Sequence, residues 1–513
     1  MLNRRVLGGL IALVICLVVA STPAVANPTD SAVPLAPRWV RAKPLHTEWD
    51  PGRHLPLVVL KCAEGSGVRL RESGLISLTG TPLHDLDQVL AIHGQPPIRR
   101  LFSRPEEVLD SERASGQLMS GQSLADLNLY FLLLPQGNEG SSQLVDDLNA
   151  LPVVELAYFE PIPAHGAIHG DPSATGPDPE KGGETPDFSA LQLYLEPAPW
   201  GLAPASAWAY AGGKGQGVRL GLLERGLNPN HEDLTDPLSW SGDKVDLHHG
   251  TAVLGEILGQ HNGFGVSGIA PDTELHVSIF DTEAPYPVVA DALNLLGRKL
   301  DAGDVLLIEY HAQGPPSGET CECSCYSFEY LPLEYWQANF DAIATVTANG
   351  VVCVEIAGNG SMDLDHPRYG GAFDRAVRDS GAILVGAGLP GSGDPACWTN
   401  HGRRIDLHGH SGSIVTAGYG LLYNGGPDAT YTDMFGGTSG AGAMVAGAVC
   451  ALQGWHLART GLMLSTAEIL QRFVSTGTPQ GSSARLIGPF PNLHGAIHGP
   501  EAVLKHAPSR GSP

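Results

Sequence analysis

Residues 218–226 read VRLGLLERG. A short apolar run that stops on an acid, Glu224, and then a glycine has the pattern of a buried strand reaching the edge of a sheet. Three more runs of this kind follow at 305–308 (VLLI), 351–356 (VVCVEI) and 383–385 (ILV). Helical stretches lie between them, among them 251–258 and 340–348. Strand and helix in alternation predict an α/β fold, a mostly parallel sheet with helices on both faces. Chemistry in such sheets gathers at the carboxyl ends of the strands. The residues that end these runs are therefore the first candidates for function.

Four candidates stand out in chain order. Glu224 ends the first run, and His249 opens a helical stretch in HHGTAVLGEILG. Asn359 follows the run at 351–356 in VEIAGNGS, and Ser439 lies in GGTSGAGAMVAGAV at the start of a long helix. Acyl transfer needs these residue types. A serine hydroxyl becomes a nucleophile when an imidazole takes its proton. A carboxylate on the other ring nitrogen fixes the tautomer and stabilises the imidazolium. A side-chain amide and a backbone N–H at a helix start can both solvate the oxyanion. Glycines flanking Asn359 and Ser439 let a substrate backbone approach closely. Taken singly, each residue has a plainer role as a strand-end acid, a turn residue or a helix cap.

With these residues in place the chain resembles the subtilisin-like serine peptidases, whose triad runs Asp, His, Ser. Their blocks are matched by Glu224-Arg225-Gly226, His249-Gly250-Thr251, Gly358-Asn359 and Gly437-Thr438-Ser439, and GVSGIAPDTEL at 265–275 matches the turn after the histidine helix. The similarity spans about residues 195–460. It implies a serine endopeptidase with Glu224, His249 and Ser439 as catalytic residues and Asn359 as oxyanion donor. It also implies a small α+β propeptide that inhibits the cleft until it is cut away. Calcium is frequent in this family, but no acidic loop here is specific enough to name, so no metal or cofactor is assigned. The chain departs from the family pattern twice. Glu224 stands where the family has Asp, and Ala443 stands where it has Pro after the nucleophile. A catalytically silent domain that binds extended peptides is the alternative these departures leave open. Gln313-Gly314-Pro315 is expected at the edge where substrate adds as a strand. Glu309 and Glu355 lie inside apolar runs, either as satisfied buried acids or as flanks of the substrate pocket.

The rest of the chain frames this centre. Its 513 residues hold 30 Lys+Arg and 54 Asp+Glu, a net charge of −24, with no basic block, which argues against nucleic-acid partners. Residues 1–26 have the charged, apolar, small-residue order of a signal peptide, so a secreted or periplasmic protein with no membrane segment after cleavage is expected. No later segment is expected to approach a membrane-spanning length. Residues 27–160 are expected to form the α+β body, with a strand at 127–134, a helix from Ser142 carrying Leu144, Val145, Leu148 and Leu151, and a strand at 153–158. The Gly/Pro-rich segment at 161–190 is expected to be a loop-like linker holding the processing site, and 191–508 the peptidase domain. Protein or peptide substrates and the chain's own prodomain are the expected partners. Cys321, Cys323 and Cys325 form either a disulfide-stapled loop or a soft-metal clip, while Cys353 and Cys450 sit in apolar runs. The hexapeptide HGAIHG occurs at 165–170 and again at 494–499, by coincidence or as a metal motif.

Overall fold

The computed structural model describes residues 35–135, 141–165, 184–243, 246–280, 287–318, 320–323, 325 and 327–499. Residues 1–26, with the expected signal peptide, lie outside them. At the centre is a seven-stranded sheet in the order Leu407–His410, Ile383–Gly388, Val352–Ile356, Val305–Ile308, Arg219–Glu224, Glu274–Ile279, Ser239–Ser241. All the pairings in it are parallel. The α/β expectation holds.

Both faces of this sheet are covered, as parallel sheets require. Val352 and Val354 enter one apolar cluster with the helix Gly437–Thr460, whereas Cys353 enters another with the helices Val289–Gly297 and Gln337–Ala348. Leu220, Leu222 and Leu223 are fully buried, each contributing roughly 1.5–3 kcal/mol. That two-sided burial explains why the strand reads as an apolar run rather than an alternation. Arg219–Glu224 lies inside the sheet between Val305–Ile308 and Glu274–Ile279, with Glu224 opposite Ile279. Its carboxyl end therefore opens near the middle of the sheet edge.

The expectation about spanning length needs correction. Gly437–Thr460 has 24 residues and is apolar enough to cross a membrane by length and composition. It is instead a core helix, 83% buried across its most apolar window. Protein surrounds it where lipid would otherwise be required.

The N-terminal body is a four-stranded sheet in the order Ile98–Arg100, Tyr130–Leu133, His54–Cys62, Val154–Pro161. The helix Ser141–Ala150 joins Tyr130–Leu133 to Val154–Pro161, and His54–Cys62 runs antiparallel between those two strands. The expected strand at 127–134 begins with a 3-10 turn, Leu127–Leu129, because the Asp126 side chain accepts the Asn128 N–H. Alternate residues of these strands serve two cores. Val58, Leu60 and Phe131 pack on Leu144, Val145 and Leu148. Val59, Tyr130 and Leu132 face the other way and join the cluster of Val289–Gly297 and Gln337–Ala348. Polar contacts fix this docking, with Tyr130 Oη donating to Asp341 at 2.5 Å and the Ala338 N–H donating to Tyr158 Oη at 3.0 Å.

The linker expectation fails at its start. Pro163–His165 is a strand, paired antiparallel with Tyr310–Gln313 so that His165 faces Tyr310, Ala164 faces His311 and Pro163 faces Ala312. A neighbouring strand supplies the hydrogen bonds that the local composition does not announce. Residues 166–183, with most of the first HGAIHG copy, lie outside the described residues; the second copy falls in the helix Leu493–His498. Disulfides Cys321–Cys325 and Cys323–Cys397 staple the cysteine-rich loop, which favours the staple over the metal clip. Cys62, Cys353 and Cys450 are buried thiols.

Candidate active site

Glu224 is the last residue of its strand, and His249 is the first of the helix His249–Leu258. Asn359 follows Val352–Ile356, and Ser439 lies in the first turn of Gly437–Thr460. The fold brings all four together. Glu224 Oε2 is 2.7 Å from His249 Nδ1, and His249 Nε2 is 3.1 Å from Ser439 Oγ. Asn359 Oδ1 accepts the Thr438 N–H at 3.0 Å and the Thr438 hydroxyl at 2.9 Å, which turns the amide's donor end away from that helix. His249, Glu224 and Ser439 are fully buried, and the ring of His165 lies 4.6 Å from that of His249, centroid to centroid. The tail strand covers the imidazole.

The extra methylene of glutamate is absorbed by folding the side chain back. Glu224 Oε1 accepts the N–H of its own neighbour Arg225 at 2.7 Å, leaving Oε2 for the histidine. Gly250 makes the room. A β-carbon there would lie 2.6 Å from Glu224 Cγ and 2.4 Å from the Gly226 carbonyl oxygen. Gly250→Ala should therefore displace the carboxylate and lower kcat/KM at least about tenfold, since misplacements near 1 Å cost up to 10²-fold. Ester hydrolysis by the variant checks this, and unchanged kinetics would show that the glycine's space does not hold the acid.

Burial opposes the charged form of His249, but the attraction of Glu224, its hydrogen bond, and the charge of Asp246 outweigh this and hold the imidazole above its ordinary value. Glu309 belongs to the same neighbourhood. Its carboxyl, the His249 ring and the Glu224 carboxylate present ligand atoms within 4.8 Å of one another. Burial, reinforced by the negative charge of Glu224 and only partly countered by a hydrogen bond with Ser439, pushes the Glu309 carboxyl well above the usual carboxylate range. Glu355 is different. Its Oε1 accepts the Glu334 N–H at 2.9 Å beside the buried bidentate pair of Arg404 with Glu334, while Oε2 makes no hydrogen bond among the described residues, so it is a core acid satisfied on one oxygen only.

Gln313 and Gly314, expected at a substrate edge, lie at and just past the end of a strand whose earlier residues are paired. Tyr310, His311 and Ala312 pair with the tail strand, while Gln313 ends the same strand opposite Tyr330. Gly314 accepts from Arg53 of the N-terminal body at 3.2 Å. Two residues in the site were not named as catalytic from the sequence. His165 opens the HGAIHG hexapeptide in a stretch that reads as loop, and His311 lies between the apolar run at 305–308 and Gln313 with no catalytic motif around it. The His311 Nδ1 accepts the Asn359 backbone N–H at 3.2 Å, and its ring packs 4.5 Å from that of Tyr330. Gly358, at φ +91°, permits this approach, because a β-carbon there would lie 3.1 Å from His311 Nδ1.

Among the described residues, two clusters have metal-ligand spacing. The thiols of the first are tied up in disulfides, and the second is the Glu224, His249 and Glu309 group. Neither is the all-oxygen cage that calcium prefers. The buried acid Asp233 presents its oxygens to the N–H groups of Asn262 and Val266, at 2.9 and 2.7 Å, which are donors and not fellow ligands. These residues do not fit calcium, and no step below is routed through a metal.

A model of the subtilase family matches residues 215–485, more than half of the chain. Subtilisin DY of Bacillus licheniformis is 25% identical over 279 residues, covering 53% of this chain and 88% of that protein. The minor extracellular protease Epr of Bacillus subtilis (strain 168) is 35% identical over 86 residues; that match covers 15% of this chain and only 13% of Epr. Among solved structures, fervidolysin from Fervidobacterium pennivorans superposes with a TM-score of 0.55 at 17% identity, covering 91% of this chain and 65% of that one, which is a likeness of fold. The parallel sheet, the matched segment and the convergence of Glu224, His249 and Ser439 agree. The chain belongs to the subtilase family of serine-type endopeptidases.

Proposed function

We propose that this is a secreted serine endopeptidase, made as a zymogen and working through Ser439, His249 and Glu224, with Asn359 as oxyanion donor. One observation carries the reading: a single imidazole lies between a carboxylate at 2.7 Å and a hydroxyl at 3.1 Å. With Nδ1–H held by Glu224, Nε2 is free to take the Ser439 proton as Oγ attacks a peptide carbonyl. The imidazolium then donates that proton to the leaving amine. Water repeats the sequence on the acyl-enzyme, and Ser439 is regenerated. The Asn359 amide and a backbone N–H at the start of Gly437–Thr460 meet the negative charge that develops on the carbonyl oxygen.

The tail strand supports the zymogen reading. Pro163–His165 adds to the edge strand Tyr310–Gln313 as an extended peptide substrate would, and its His165 ring shields His249. In this reading the N-terminal body at 27–160 is the inhibitor, 161–190 holds the processing site, 191–508 is the peptidase, and residues 1–26 direct secretion. The silent-binder alternative has less support, because both hydrogen bonds of the triad are made.

The test is covalent labelling. A fluorophosphonate probe should modify Ser439 stoichiometrically once the N-terminal body is removed. The base must be neutral to act, and its pKa is raised, so the labelling rate should climb as pH rises through a value above 6.5. Absence of labelling at every pH would leave the peptide-binding domain as the better description.

A further inference from the structure

We infer that His311 is a further catalytic residue, whose Nε2–H donates to the carbonyl oxygen of the peptide bond under attack. The inference deepens the acyl-transfer reading above and rests on it. The tautomer comes first. Because His311 Nδ1 accepts the Asn359 N–H at 3.2 Å, the ring hydrogen must reside on Nε2. That Nε2 is buried and has no partner at hydrogen-bond length among the described residues, a costly state for a donor unless another state of the protein satisfies it.

Its position names that other state. His311 lies on the strand that receives the extended chain, directly opposite Ala164 and one residue from the pairing with His165. The neighbour its Nδ1 touches is Asn359, itself the proposed oxyanion donor, and its ring is held from the side by Tyr330. The one hydrogen-bonding influence on Nε2 is the backbone of His165, whose geometry falls short of an ordinary hydrogen bond, and the charge of His249 acts on the ring as well. Burial, partly countered by the backbone of His165, pushes the imidazole down to about 3, so it stays neutral through the working range and donates without ever transferring its proton. A donor placed for the tetrahedral oxygen, and not for the planar carbonyl, is expected to look unpaired while a ground-state chain occupies the cleft. A neutral imidazole polarising a carbonyl is established chemistry in an unrelated isomerase.

The test is His311→Phe, which keeps a ring against Tyr330 and removes the N–H. We expect kcat to fall about 10²–10³-fold, the loss typical of a deleted oxyanion donor, with KM little changed. Affinity for a peptide boronic acid, which forms a tetrahedral adduct on Ser439, should fall by a similar factor. Affinity for a peptide ending in Pro-Ala-His should not change. Unchanged kcat, or equal weakening of both ligands, would overturn the proposal, since a purely structural histidine would affect the two alike. A second reading needs no substitution. In the wild-type protein, the His311 Nε2 proton resonance should move downfield when the boronic acid binds, and a stationary resonance would overturn the proposal even if the variant fails to fold. Fluorophosphonate labelling of wild-type Ser439 separates the two hypotheses, because its failure removes the endopeptidase reading while its success leaves His311 to stand or fall alone.

Discussion

Ser439→Ala is expected to abolish peptide hydrolysis, with a loss in kcat on the order of 10⁶-fold, the size recorded for subtilisin when its own nucleophile is removed. The reason is that Ser439 Oγ is the hydroxyl at 3.1 Å from His249 Nε2, and alanine leaves the base with no proton to take. The variant should also accumulate as the uncut chain, because self-processing in the proposed zymogen would need the same nucleophile. Ser439 has no exposed surface and lies in a tightly buried turn, so the smaller alanine should fold in its place. Mass spectrometry of the expressed protein and turnover of a peptide ester check both expectations together. Hydrolysis or processing at wild-type rates would refute the assignment of the nucleophile.

The second large effect concerns the acid. Glu224→Gln keeps the length of the side chain and removes its charge, and we expect kcat to fall by about 10³–10⁴-fold. Loss of the orienting acid costs ~10⁴ in a trypsin-type enzyme and ~3 × 10⁴ in subtilisin. Glu224→Asp keeps the charge but shortens the reach of a residue whose strand is held on both sides by Val305–Ile308 and Glu274–Ile279. Its carboxylate should therefore sit slightly far from Nδ1, with a loss nearer 10–10²-fold. The pH profile gives an independent sign. Glu224 helps to raise the His249 pKa, so the acid limb of kcat/KM should move to lower pH in the Gln variant and far less in the Asp variant. Equal kinetics and equal acid limbs for the two variants would mean that Glu224 does not orient the imidazole.

Legibility differed from residue to residue for physical reasons. The strand ending at Glu224 could be read because burial on both faces forces an unbroken apolar run, which is a local signal. Ser439 and Asn359 could be placed at a helix start and a strand end because glycine-rich turns punctuate the chain there. The tail strand was misread, since Pro163-Ala164-His165 has no strand signature and is ordered only by Tyr310, His311 and Ala312. Gln313-Gly314 could be read as the end of an element because glycine and proline mark it, while the pairing of the residues just before it depends on a distant segment. The long apolar helix Gly437–Thr460 was underestimated as a possible span, because its many glycines and alanines lower the hydropathy without interrupting the helix.

By itself the sequence determined the core strands and helices of the central sheet, and it carried the four residue types at the positions where such elements begin or end. Those properties depend on neighbours a few residues apart. Only the tertiary structure decided that Glu224 curls onto Arg225 to meet His249, that Gly250 leaves space for it, that the Asn359 amide oxygen takes the Thr438 N–H, and that the His311 Nε2–H lacks an ordinary hydrogen bond beside the strand Pro163–His165. Most of these outcomes are set by contacts between residues far apart in the chain, whose distances matter to tenths of an ångström, and no local pattern of apolar and polar residues encodes a distance.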